Sequence, residues 1–411
     1  MNNINFDARR RMLRFLAATP FAVSPALAVS DNFLRFLGAM EESQPEVKNP
    51  KDALDVMDFE PLARKVLPPA HFGYLATGVD DDRSVQANRD GFQYFEIRAR
   101  RLVDVEKVDT SVKLFGTSYP SPIFACPESS MRAFHPDGEI AVARAARAQN
   151  RLQILSTVAT ASIDEVTAAR EGPVWQQLYP TNVWTVTRGI IKRAEAAGSP
   201  VLALTVDLQN ESNRETQERF ARLDSRDCSS CHDRASFAGY VARKPAFDGL
   251  DVSKVTGLHN AAMSWDFIKR LKDSTSMKLV VKGIVTREDA QLAVEHGVDG
   301  IIVSNHGGRA EDTLRSTIEC LPEVVEGTGR KIPVLVDSGF RRGSDVFKAL
   351  AMGATAVGIG RPHAWGLAAF GQPGVEAVFA ILQRETEQIM RQAGTPNLAA
   401  ITSSFIVKRP S

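Results

Sequence analysis

The 411-residue sequence has only 4 cysteines, too few for a disulfide framework to hold so long a chain together. A surplus of one charge is also missing, since 50 Lys and Arg stand against 49 Asp and Glu for a formal net charge of +1. Without that surplus no long-range field draws the chain onto nucleic acid or anionic lipid, and neither is expected as a partner. No apolar run approaches the roughly 20 residues that a membrane-spanning helix needs. Low-complexity tracts and disorder-prone composition are absent too: 44% of the residues are hydrophobic, with 28 Gly and 21 Pro. What remains is a globular chain long enough to bury its own core, whose function has to be sought in local sites.

The first residues read as an address. Arg9, Arg10, Arg11 and Arg14 precede an uncharged run from Phe15 to Ser30 that contains the small-residue triplet Ala26-Leu27-Ala28. A charge block, an apolar run and such a triplet, in that order, make a signal peptide. The run is too short, and too broken by Pro20 and Pro25, to span a bilayer. The adjacent arginines before Met12-Leu13-Arg14-Phe15-Leu16 resemble a twin-arginine signal, which serves proteins that fold and take up cofactor before export. Removal of residues 1–28 and a periplasmic or secreted protein are therefore expected; if the signal is not used, the protein is cytoplasmic with a frayed basic end.

From Pro122 onward, short β-branched runs alternate with segments of helical period. The runs are Pro122 to Pro127, Leu152 to Thr157, Val174 to Tyr179, Val201 to Asp207, Lys278 to Gly283, Gly300 to Asn305, Pro333 to Gly339 and Ala356 to Gly360. Helices are expected over Asp137 to Asn150, Thr185 to Gly198, Arg287 to Gly297, Ser344 to Gly353 and Val375 to Gly394, several closed by a glycine where a helix stops. Eight βα units fit an α/β fold of the TIM (β/α)8 type over residues 122–394; an open Rossmann-like sheet is the alternative. Residues 29–121 read as a helical segment covering the barrel, with helices over Asp58 to Val66 and around Ser84 to Phe95, and 395–411 as a tail. The connection 208–264 after the fourth strand is far longer than an ordinary βα loop and reads as a lid.

In such a barrel the reactive groups converge at the C-terminal ends of the strands. There the sequence places Gln177-Leu178-Tyr179, Thr205-Val206-Asp207, Lys282-Gly283, Ser304-Asn305-His306-Gly307-Gly308-Arg309, Asp337-Ser338-Gly339 and Gly360-Arg361-Pro362. These motifs, with Tyr74 in Tyr-Leu-Ala-Thr-Gly, His135-Pro136-Asp137-Gly138-Glu139 and Asp345 to Leu350, resemble the FMN-dependent 2-hydroxy acid oxidases and dehydrogenases. That family includes glycolate oxidase, lactate oxidase, mandelate dehydrogenase and the flavin domain of the yeast lactate flavocytochrome, and the likeness runs from about Asp55 to Arg391.

The resemblance implies FMN as cofactor and a small 2-hydroxy acid, lactate-like, as substrate. His306 would be the base that takes the hydroxyl proton as the α-hydrogen leaves toward flavin N5, with Asp207 orienting it and favouring its protonated form. Arg309 and Arg214 would grip the substrate carboxylate with paired donors, although the stretch Leu208 to Asn213 departs from the family's turn and leaves a surface pair with Glu215 open for Arg214. Tyr74 and Tyr179 would hydrogen-bond the carboxylate or the developing alkoxide, and Lys282 would place a positive charge beside the flavin. Pro127, Ser156, Gln177, Thr205 and Ser304 would contact the flavin, Asp337 its ribityl chain, and Gly339, Arg341, Gly360 and Arg361 its phosphate. Glu128, Ser129 and Val158 differ from the glycolate-oxidase pattern, where small or hydroxyl residues and a bulky aromatic stand, and this bears on substrate size and oxygen reactivity. The family also implies a homo-oligomer, commonly a tetramer.

One motif stands apart. Cys228-Ser229-Ser230-Cys231-His232 has the spacing of covalent c-type haem, with a Cys228–Cys231 disulfide, free thiols or a zinc site as alternatives; Cys126 and Cys320 read as buried small hydrophobes. The electron acceptor would be oxygen, a quinone or a cytochrome. Rival readings are a flavin-binding electron carrier without turnover and an FMN barrel acting on a larger substrate.

Overall fold

Strands buried on both faces need mostly apolar residues, and the short runs between Ile123 and Ile359 supply them, with polar exceptions such as Gln176, Gln177 and Lys282. The computed structural model describes residues 47–226, 236–258 and 262–409. Of these, 47–52 belong to one unit and carry a 3-10 turn over Pro50–Asp52; the chain from Ala53 forms a second. Residues 1–28 and the Cys228, Cys231 and His232 motif lie outside the described residues.

The eight barrel strands are β1 (Ile123–Ala125), β2 (Ile154–Leu155), β3 (Trp175–Leu178), β4 (Val201–Thr205), β5 (Lys278–Ile284), β6 (Gly300–Val303), β7 (Val334–Val336) and β8 (Ala356–Ile359). All pair in parallel, in the order β1-β8-β7-β6-β5-β4-β3-β2. A single parallel bridge, Ala125 with Gln153, joins β1 to the start of β2, and the Ala125 N–H donates to Leu152 O at 3.0 Å. The ring of a TIM barrel is thereby closed, and the open sheet is excluded.

Strand periodicity then decides what fills it. Phe124, Ile154, Trp175, Ala203, Val280, Ile302, Leu335 and Ala356 all belong to the buried core inside the ring. Two residues further along the same strands come Cys126, Ser156, Gln177, Thr205, Lys282, Ser304, Asp337 and Gly358, so the next layer of the same barrel turns polar at its C-terminal mouth. The opposite end is plugged by a hairpin, Val112–Leu114 with Thr117–Tyr119, whose Phe115 packs on Trp175 with ring centroids 5.4 Å apart.

The N-terminal segment is helical as expected over Phe59–Val66 and Arg83–Asp90, and adds a helix over Pro69–Ala76 that the sequence pattern does not announce. Its strand Phe95–Ile97 pairs antiparallel with Ile406–Lys408 from the end of the chain. The long connection after β4 holds two short helices, Glu215–Ala221 and Phe237–Val241. Phe220 of the first fills the gap over Gly73 and meets Phe72 edge to face, so this part of the lid is packed rather than loose.

Candidate active site

The polar layer opens into a cleft lined among others by Tyr74, Glu128, Tyr179, Lys282, His306 and Arg309. His306 sits just past β6 with φ +58, followed by Gly307 and Gly308, which also have positive φ. The loop is pressed against the helix Arg83–Asp90: a Cβ at Gly308 would lie 2.6 Å from the Val85 nitrogen. A reciprocal amide pair, Asn88 to Asn305 at 2.8 and 2.9 Å, pins the residue before His306 to that helix.

The imidazole Nδ1 lies 2.9 Å from Asp207 Oδ1, and Nε2 lies 3.3 Å from the Tyr179 hydroxyl. An ionised carboxylate can only accept, so Nδ1 carries the proton and Nε2 offers its lone pair toward the cleft. Burial would push the Asp207 carboxyl up, but Lys282 and His306 outweigh it and hold it below the ordinary carboxylate value. For His306 the balance falls the other way from the sequence expectation. Burial, the largest influence, lowers its pKa and Asp207 only partly restores it, so the resting ring is held neutral.

Lys282 donates to Ser304 Oγ at 2.8 Å and lies 3.6 Å from Asp207 Oδ2 and 3.7 Å from Asp337 Oδ2. Burial disfavours its charge, yet the two carboxylates prevail and raise its pKa, leaving a permanent ammonium. Asp337 accepts from Ser304 and Ser338 at 2.7 and 2.8 Å. Gln177 donates to Thr205 Oγ1 at 2.9 Å and accepts from the Thr157 nitrogen at 3.0 Å, with Ser156 at 3.4 Å.

Arg309 donates through Nη1 to the carbonyls of Tyr74 and Thr77 and stacks over the Tyr74 ring at 4.4 Å. Its Nη2 is buried without a partner. Tyr74 shares a 2.5 Å hydrogen bond with Ser129. Arg214 donates to Ser212 Oγ at 3.0 Å, while Glu215 pairs with Arg219 instead, so the surface pair left open for Arg214 does not form. Burial and then Arg309 lower its pKa, whereas Tyr74, Tyr179 and Asp207 act to raise it, which places it beside the same site.

Beyond β7 and β8, Arg361 spends its guanidinium on the carbonyls of Leu75, Gly307 and Thr77 at 2.7 to 2.8 Å. Arg341 stacks on Trp365 at 4.6 Å and keeps a buried, unpartnered Nε. Burial, with Arg89 and Arg361 nearby, lowers Arg341 to about 9, and the carboxylates of Glu60 and Asp345 offset this only in part. Arg89, which sequence reasoning missed, reaches Gly339 O and Asp345. Among the described residues no cluster suits a metal ion, and no helix is long and apolar enough to cross a membrane.

Comparison with known proteins completes the picture. The family model of the FMN-dependent dehydrogenases matches residues 63–408. The chain belongs to that family. Glycolate oxidase 3 from Arabidopsis thaliana is 38% identical over 366 residues, covering 86% of this chain and 95% of the relative. A soluble mutant of (S)-mandelate dehydrogenase from Pseudomonas putida superposes with a TM-score of 0.75 at 32% identity, over 87% of this chain and 99% of that one. A protein described as a lactate oxidase from Pediococcus acidilactici gives 0.76 at 31%, over 87% and 96%. The protein is thus an FMN-dependent oxidoreductase acting on 2-hydroxy acids. Its cleft suits the cofactor: crowded guanidinium groups with an orphaned Nε face a phosphate's needs, and the Gln177, Ser156 and Thr205 amide and hydroxyl groups suit a flavin's polar edge.

Proposed function

We propose that this protein oxidises an L-2-hydroxy acid of lactate-like size to the 2-oxo acid, with electrons passing on to oxygen, a quinone or a cytochrome. The observation that carries this reading is the part-buried Asp207–His306 couple, its Nε2 turned to the cleft and its histidine three residues before an arginine whose Nη2 lacks a partner. FMN, when bound, supplies the two-electron acceptor. His306 takes the hydroxyl proton at Nε2, and the Asp207 carboxylate offsets the charge the ring then carries. Arg309 Nη2 and Arg214 hold the substrate carboxylate, with the Tyr74 and Tyr179 hydroxyls as further donors. Lys282 gives the wall a fixed positive charge suited to offset incoming electrons.

In the same proposal Pro127, Ser156, Gln177, Thr205, Ser304 and Asp337 hold the ring and ribityl chain. Arg341, Gly339, Gly360 and Arg361 hold the phosphate, Arg341 directly and Arg361 by fixing the loops around it. Export by the arginine-rich leader, supported by the sequence alone, and tetramer assembly, supported by family likeness, complete the reading. The test is anaerobic addition of L-lactate, glycolate or L-mandelate to the flavin-loaded protein. Bleaching of the flavin absorbance by at least one supports the proposal, whereas bleaching by no 2-hydroxy acid sinks it.

A further inference from the structure

Glu128 follows Pro127 at the C-terminal end of β1 and lines the cleft, yet the reaction gives it no task. Its carboxylate lies against the head of the helix after β8: a Cβ at Gly360 would stand 2.8 Å from Glu128 Oε1. No hydrogen bond or ion pair ties it to another described residue. The ionisable groups around it come from several strand ends: Cys126 beside it, Lys282 on β5, Arg309 after β6, Asp337 after β7 and Arg361 after β8. Burial pushes the carboxyl up, and Arg309, Arg361 and Lys282 only partly offset it. An acid thus stands among the cations that an anionic cofactor needs.

We propose that Glu128 makes FMN uptake proton-linked, the carboxyl taking up a proton as the phosphate-bearing cofactor enters. The proposal rests on the phosphate lying near Gly360 and Arg361. Two negative groups in one cleft repel, so the incoming anion favours the protonated carboxyl. By linkage, FMN affinity then falls as pH rises from the titration point of the free site to that of the loaded site, and is level outside that window. The phosphate's own second ionisation, near pH ~6, acts in the opposite sense because the dianion is held more strongly by Arg341. The ratio of wild type to Glu128→Gln at each pH removes that contribution.

The experiment strips FMN from the full-length protein and titrates it back by flavin fluorescence quenching between pH ~5.5 and ~8.5, with riboflavin as a second ligand. The Kd of wild type relative to Glu128→Gln is expected to rise about tenfold across the range for FMN, one unit of carboxyl shift being tenfold in affinity. For riboflavin, which lacks the phosphate, the ratio stays flat. A flat ratio for FMN, or an equal rise for riboflavin, overturns the proposal. Should the Gln variant take up no flavin, Glu128→Ala supplies the ratio. Arg341→Ala separates the two failures: if it binds FMN as wild type does, the phosphate assignment itself is wrong.

Discussion

At the scale of single residues, the site turns on which influence wins around His306. Burial prevails over Asp207, so the ring is held below its ordinary value of 6.5 and is ready to accept a proton at neutral pH. A base must be unprotonated to act, and kcat/KM should therefore rise with pH along a limb centred below 6.5 and stay level above it. Asp207→Asn removes the charge that partly restores basicity, which moves this limb to still lower pH while lowering the rate. His306→Ala should cost about 10²- to 10⁴-fold in turnover while the protein stays yellow, and unchanged anaerobic flavin bleaching would refute its role. Arg309→Lys keeps the charge but not two donors, so a raised KM for the hydroxy acid is the expected kinetic signature. His306, Arg309 and Lys282 were legible because each ends a strand-like run. Asn88 and Arg89 were not: their partners, Asn305 and Gly339, lie more than 200 residues away, and no local pattern marks such a pairing.

Among the elements, the strands were legible because both faces are buried and short, largely apolar runs such as Leu279 to Val281 and Ile301 to Val303 alternate with helical segments. The helix Pro69–Ala76 was hidden by its prolines and by Gly73, which reads as a breaker but is there to let Phe220 approach. Loss of this helix from the reading left Tyr74 as a motif without a mount. The hairpin at Val112 to Tyr119 was missed because its strands are only three residues long. Since Phe115 caps the ring far from the cleft, Phe115→Ala should lower the melting temperature, by about 2 to 4 kcal/mol of stability, while leaving KM unchanged. Gly339 is different: it has φ +89, and a Cβ would run into the carbonyl of Asn88. Gly339→Ala should therefore strain the loop that leads to Arg341 and lower both stability and FMN retention, the latter read by flavin content after gel filtration.

Taken whole, the molecule carries an acid weakness. His363 is fully buried in the helix after β8, and burial holds it down to about 4. The unfolded chain binds that proton near pH ~6.5, so stability is complete above that value and is lost as pH falls toward 4, by roughly 3 kcal/mol. His363→Leu should flatten the pH dependence of urea unfolding in that window; an unaltered slope would show that other groups set it. The eightfold count of strands read from the sequence gave the architecture, whereas how the ring meets itself did not show, since the run Leu152 to Thr157 contributes only two strand residues.

That meeting point has a consequence of its own. Seven junctions of the ring are ladders, but the eighth is the lone bridge of Ala125 with Gln153. A cylinder sewn with one stitch along one side should breathe there first, and deuterium should reach the Ala125 amide well before it reaches the paired amides of β4 and β5. Because Pro127 and Glu128 lie just beyond that stitch, the same brief parting would give the cofactor a door.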